Sequence, residues 1–536
     1  MRKILIYLSF AGSLAMGGCT KNFNAVNTDP TQASGSVFDP NLLLPSAELG
    51  YMNSFQGYSG PILFQSMWVQ TFASAQYPTY YSNGDKYVAS GNILTYDASI
   101  WNNSYTAAGQ CYTIQQLIKQ NKLTADGNLS GISLIVQLLN IELITDTYGD
   151  CPYSQALQAA SGINEPVYDA QKSMYSSMLA KLDSVLPTLN ASAAAPTNDI
   201  IYQGNIGAWQ RFGYSLMLRM AMRLVNVDAA TAQSYAEKAA AGGTMASLAD
   251  DAFVTFDHAD GYQNGNSGAL VVPEDYVEVR WGKALIDYLK TNNDPRLPVI
   301  AEVPAAGLAN AGNESLAGNS TPAAQNGMPN GYDENGGSTD ISHAPGYPGP
   351  TGSGGDINPT GNYSRPTSAL YLALNTPGFI MTYAESELLL AEAAARGWNV
   401  TGSASAHYAN AVSAALQTYG TFNGTAPISS VTATAYAAAN PLDVSSQANS
   451  LAMINMQYWV TTGTLFEFAE CWNNWRRSGV PALTPVNYAG NFTSGQIPRR
   501  EVYPTSESGT NPANLKSAVG GLTGGDTWTS HVWWDK

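Results

Sequence analysis

The chain has 536 residues, more than one ordinary core of about 100–200 residues requires, so it carries several layers, domains or repeats. Forty acidic residues against 24 basic ones give a formal net charge of −16, which argues against the basic face of a nucleic-acid binder. Only 12% of residues are charged and 44% are hydrophobic, which excludes disorder by charge; 31 Tyr and 11 Trp suit a protein outside the cytoplasm that handles polar, uncharged ligands.

Met1-Arg2-Lys3 and the mostly apolar run from Ile4 to Ala15 read as a signal peptide, too short to anchor as a spanning helix. The run stops at Met16-Gly17-Gly18-Cys19, which resembles a bacterial lipobox, so Cys19 is the expected site of lipid attachment. The alternative is an ordinary secretory signal with an incidental cysteine. Residues 1–18 are then the signal, 19–40 a polar tether with turns at Asn27-Thr28-Asp29-Pro30 and Asp39-Pro40, and 41–536 the folded body. No later run reads as 18 consecutive apolar residues, so the expected membrane attachment is through lipid and not through a helix. Cys111, Cys151 and Cys471 are odd in number and widely spaced, and read as inert buried thiols.

Helical periodicity dominates the body. Asp126-Gly127-Asn128-Leu129-Ser130-Gly131 imitates half of a calcium loop, but Gln137 stands where a bidentate carboxylate is needed, so a helix-capping turn fits better. Leu134, Leu138, Ile141 and Thr145 share one helical face, ending near Tyr148-Gly149. Met174, Met178, Leu182 and Val185 repeat the pattern before Pro187, and Trp209, Phe212, Leu216, Met220 and Leu224 repeat it again. Short apolar runs at 253–256 and 270–272 suggest strands. Residues 301–367 are dense in Gly, Pro, Asn and Ser, and read as a ligand loop or a solvated insertion. A further helix is expected from Thr376-Pro377 to Arg396-Gly397, with Phe379, Tyr383, Leu390 and Ala394 on one face. Two more cover 404–419 and 446–479. Helices of this length with short connections predict antiparallel pairs stacked into a superhelix, an all-α fold.

Several blocks resemble one family. Cys19 with Asn27-Thr28-Asp29-Pro30, Thr145-Asp146-Thr147-Tyr148-Gly149-Asp150-Cys151-Pro152-Tyr153, Trp209 with Leu218-Arg219-Met220-Ala221-Met222-Arg223, and Asp294-Pro295-Arg296-Leu297-Pro298 are similar to segments of SusD/RagB-type outer-membrane lipoproteins. So are Tyr383-Ala384-Glu385, Arg396-Gly397-Trp398, Trp475-Arg476-Arg477-Ser478-Gly479 and Ile497-Pro498-Arg499-Arg500. The resemblance implies tetratricopeptide-like helix pairs with an irregular, loop-rich ligand face. It also implies a SusC-like TonB-dependent transporter as partner, to which the lipid-anchored protein, exposed at the cell surface, hands an oligomeric nutrient. Across the family that nutrient is mostly glycan, with peptide as the principal exception; a structural or adhesive surface lipoprotein is the remaining alternative.

No hydrolase elbow, HExxH, P-loop or dinucleotide fingerprint occurs; Gly57-Tyr58-Ser59-Gly60 is one residue short of the elbow. His258, His343, His407 and His531 are scattered. Glu385 with Glu392 and Glu467 with Glu470 read as salt-bridging or capping groups, with Arg396, Arg476 and Arg477 as partners. No enzyme, metal or cofactor is expected. Trp209, Trp398, Trp472, Trp475, Trp533 and Trp534 lie in the family blocks and read as core, and Trp68 as buried. Sugar sites pair flat rings with amides and charged groups. The ligand candidates are therefore Tyr77, Tyr80, Tyr81 and Asn83; Trp101, for which core is the stronger reading; Tyr262, Asn264, Tyr276, Arg280 and Trp281; and Tyr332, Tyr347 and Tyr363 in the Gly/Pro-rich stretch.

Overall fold

Ala98–Gln120 and Gly127–Tyr148 fold back on each other as an antiparallel hairpin, and Leu44–Phe55 packs along the first of them. The same arrangement recurs where Ile206–Arg223 meets Ala229–Gly242, Tyr383–Ala395 meets Ala404–Gln417, and Gln447–Thr464 meets Phe468–Ser478. The computed structural model describes residues 38–536 except 77–79, 89–92, 122, 124–125, 305–316, 350–358 and 423–426. Cys19, the signal segment and nearly all of the 19–40 tether lie outside the described residues. Among those described, strands form only four two-stranded antiparallel sheets, so the all-α expectation holds.

Local chemistry sets most helix starts. Asn205, Asp228, Ser403, Ser429 and Ser446 each accept a hydrogen bond from a backbone N–H of the first helical turn. Gly127–Tyr148 is long and apolar enough to cross a membrane, contrary to the sequence reading, yet most of it is buried as the central core helix.

Three boundaries differ from expectation. Thr376-Pro377 does not open a helix: Gly378–Met381 is a strand paired with Ala252–Val254, placing Phe379 opposite Phe253. The helix begins at Tyr383, after a capping box in which Thr382 and Glu385 exchange hydrogen bonds. Residues 446–479 are two helices, broken where Phe466 takes φ +64°. Of the two apolar runs, Ala252–Val254 is a strand, whereas Leu270 ends the Gly265–Leu270 helix.

The scaffold is cross-linked by buried charge. Arg219 reaches Glu142 at 2.5 Å, and Arg223 bridges Asp146 at 3.2 Å and Glu470. Glu470 therefore pairs with these arginines and not with Arg476 or Arg477, and they hold its carboxyl below its ordinary value against the upward pull of burial. Cys111, Cys151 and Cys471 are buried free thiols. Trp68, Trp209, Trp472, Trp475 and Trp534 are buried, whereas Trp398 and Trp533 are half-buried at the core's edge.

Glu467 has no ion-pair partner within 4 Å among the described residues. Among the described residues both its carboxylate oxygens are buried without a hydrogen-bond donor, and burial with the adjacent Glu385 outweighs Arg219 and pushes its pKa well above the usual carboxylate range. Burial and Glu470 likewise push Glu385 up to about 7. Between the unfolded value near 4.5 and about 7 the folded chain keeps protons that the unfolded chain has lost, so stability falls as pH rises through that window. Glu467→Gln, which removes one of the two acids without changing shape, should flatten that decline in urea titrations run between pH 4.5 and 8. An unchanged slope would refute the pairing.

Candidate tyrosine-lined ligand site

Tyr58 sits in the turn after Leu44–Phe55, with its ring 5.4 Å from Tyr80, 6.1 Å from Tyr81 and 5.8 Å from Tyr96. The Tyr80–Lys86 helix supplies two of these rings, and it is held close by Gly84: a Cβ there would lie 2.0 Å from the Leu63 carbonyl oxygen. Gly84→Ala should therefore displace the helix, lowering stability by about 1–3 kcal/mol in a denaturant titration and weakening ligand capture with it. Full stability with full binding would show that the approach does not matter.

Tyr80, 39% exposed, and Tyr262, 56% exposed, are the exposed aromatic side chains among the described residues. Tyr81 lies beneath Tyr58, fully covered, and its hydroxyl points to Asp275 Oδ2 at 3.5 Å. Asp275 and Glu278 come from the Pro273–Glu278 helix; burial pushes their carboxyls up to about 6 and about 8. The preceding Gly265–Leu270 helix docks on the Tyr58 turn, where Gly57 N–H donates to Asn266 Oδ1 at 3.0 Å. Packed rings with one face left open offer a rigid surface at small entropic cost.

The other candidates divide by burial. Tyr77 lies outside the described residues. Asn83 is buried in its helix. Asn264 caps Gly265–Leu270 and donates to the Thr376 and Pro377 carbonyls, so its amide is engaged in the fold. Trp101 is core, with ring centroids of Tyr105 and Tyr148 at 5.0 and 5.3 Å. Pairing of Phe72–Ala73 with Arg280–Trp281 carries the latter two residues inside as well. Trp281 packs 4.7 Å from Phe72 and donates to the Ile300 carbonyl, while Arg280 donates to carbonyls of Thr360, Tyr276 and Val279. Tyr276 is covered too, its hydroxyl donating to the Pro366 carbonyl at 2.7 Å. Asn83, Asn264, Tyr276, Arg280 and Trp281 are thus not the open surface expected of them, since packing in the fold covers them, whereas Trp101 is the core residue that its stronger reading made it.

The Gly/Pro-rich stretch is partly folded. Tyr347 and Tyr363, 6.1 Å apart, form a small second core with Met328, Ile341 and Ala344, and half-buried Tyr332 packs against it. Tyr58, Tyr96, Asp275 and Glu278 escaped the sequence reading. The glycines flanking Tyr58 were the available signal; nothing local marked the others.

A helical-repeat scaffold that holds a partly open cluster of rings offers a candidate surface for a ligand. The family follows from comparison: a model described as "Starch-binding associating with outer membrane" (SusD-like_2) matches residues 35–504, and the chain belongs to this family, whose members bind ligands and are not enzymes. Among solved structures, a chitin-binding protein is 28% identical, with TM-score 0.77 over 93% of this chain and 100% of its own. A chitin-binding SusD homologue from Flavobacterium johnsoniae is 22% identical, with TM-score 0.69 over 92% of this chain and 98% of that one. A SusD-like protein from Bacteroides thetaiotaomicron is also 22% identical, with TM-score 0.68 over 93% and 99%. No curated protein matches the chain.

Proposed function

We propose that this protein is a surface-exposed outer-membrane lipoprotein, anchored through Cys19, that captures an oligosaccharide on the Tyr58–Tyr80–Tyr96 cluster and delivers it to a SusC-like TonB-dependent transporter. The carrying observation is the partly exposed Tyr80 ring set 5.4 Å from Tyr58 on a rigid helical base. Sugar C–H faces stack on such rings, and the uncharged polar loops suit hydroxyl- and amide-rich ligands. The 28%-identical chitin-binding protein puts β-linked N-acetylhexosamine oligomers first among the ligands to test. Titration calorimetry against chitin, starch and other neutral oligosaccharides, with a peptide panel alongside, should give saturable binding to one glycan class. Affinity capture from membranes should recover the transporter. Binding to peptides alone, or recovery of no barrel, would overturn the corresponding half of the proposal.

A further inference from the structure

Far along the chain from the tyrosine cluster, Arg396, Arg476, Arg477, Arg499 and Lys536 line one half-open cavity of about 660 Å³, with Glu392 as its acidic wall. This is an unusual concentration of cations in a protein with 40 acidic and only 24 basic residues. Glu392 is already engaged by Arg477 and Arg396, and Arg499 by Asp535. Arg476 has no carboxylate within ion-pair reach among the described residues. It donates to the carbonyls of Asp146 at 2.6 Å and Arg499 at 2.8 Å and to the Asn473 side chain. Its guanidinium lies 3.6 Å from the Trp472 ring centroid and 4.5 Å from that of Trp534, and its buried Nε has no hydrogen-bond partner.

Carbonyls and rings orient a guanidinium without neutralising it. Arg476 lines the cavity, so its uncompensated charge adds to the positive potential that Arg396, Arg499 and Lys536 give a space whose walls are held in place by the Glu392 pairings. Burial, against the partial relief of Asp535 and Asp146 and reinforced by Arg499 and Arg223, pushes Arg476 down to about 9, as expected for a cation short of counter-charge. Forked guanidinium donors match carboxylate, sulfate and phosphate oxygens. We propose that this cavity binds a small oxoanion, free or carried on a molecule of the cavity's size. The site shares no residue with the tyrosine cluster, so it stands or falls independently of the glycan reading.

Calorimetry of the intact protein with sodium sulfate, phosphate and galacturonate, against sodium chloride at matched ionic strength, tests it. At least one oxoanion should bind saturably at one site. Preference for galacturonate would mark an acid-bearing molecule, and preference for the inorganic ions a free oxoanion. Arg396→Gln, which leaves the Arg477 fork on Glu392, should weaken binding by about tenfold or more, and so should Lys536→Ala. Lys238→Gln, on the Ala229–Gly242 helix, should not. Should Arg396→Gln fail to fold, Lys536→Ala decides the matter. Absence of saturable binding to the wild type, or equal binding by Arg396→Gln and Lys536→Ala, overturns the assignment.

Discussion

Arg477→Ala is expected to destabilise the protein by about 3–5 kcal/mol near neutral pH, because the buried Glu392 carboxylate keeps as counter-charge only the partly exposed Arg396, which bonds one of its two oxygens. Arg477 grips Glu392 with two parallel bonds of 2.6 and 2.7 Å, joining the Phe468–Ser478 and Tyr383–Ala395 helices. Burial alone would raise the Glu392 carboxyl, but Arg477 and Arg396 outweigh it and hold the group at about 2. Stability from this group is fully present above the unfolded value near 4.5 and is lost as pH falls toward about 2. Urea titrations from pH 2.5 to 7 should show Arg477→Ala losing both stability and this acid-side slope. Arg396→Ala should cost much less, since Arg396 is partly exposed and the Arg477 fork remains. A loss under about 1 kcal/mol with the slope retained would contradict the account.

Replacing Tyr58 and Tyr80 together with alanine should cost about 2 kcal/mol of ligand binding, roughly a thirtyfold rise in Kd, if the cluster is the capture surface. Tyr80→Ala alone should leave the unfolding midpoint nearly unchanged because its ring is 39% exposed. Tyr262→Ala reports whether the ligand extends past the cluster to the second exposed ring. Trp101→Phe is the interior control: it keeps most of the core volume and should leave Kd alone. Unchanged binding in the double variant, with the fold intact by circular dichroism, would move the ligand elsewhere.

Local sequence was sufficient where a pattern repeats along one chain segment. The faces carrying Leu134 to Thr145, Met174 to Val185 and Trp209 to Leu224 are helical, since a 3.6-residue period needs no knowledge of distant partners. The caps at Asn205, Asp228 and Ser403 are local too, although the sequence reading named none of them. The helix expected from Thr376-Pro377 starts instead at Tyr383, because the Thr382–Glu385 capping box, an equally local signal, sets its first turn.

Residue chemistry, charge and family blocks thus determined the all-α class, the family and the expectation of an aromatic ligand face. Only tertiary structure decided which aromatics that face could contain. Trp281 and Arg280 turn inward because Phe72–Ala73 pairs with them across some two hundred residues. Tyr347 and Tyr363 gather into a second core inside a stretch that looks structureless. Tyr58, Tyr80 and Tyr96 meet because Gly84 lets one helix touch the Leu63 backbone. A tyrosine's ring is equally suited to packing and to stacking on a sugar, so its neighbours in space, and not its neighbours in sequence, set which of the two it does.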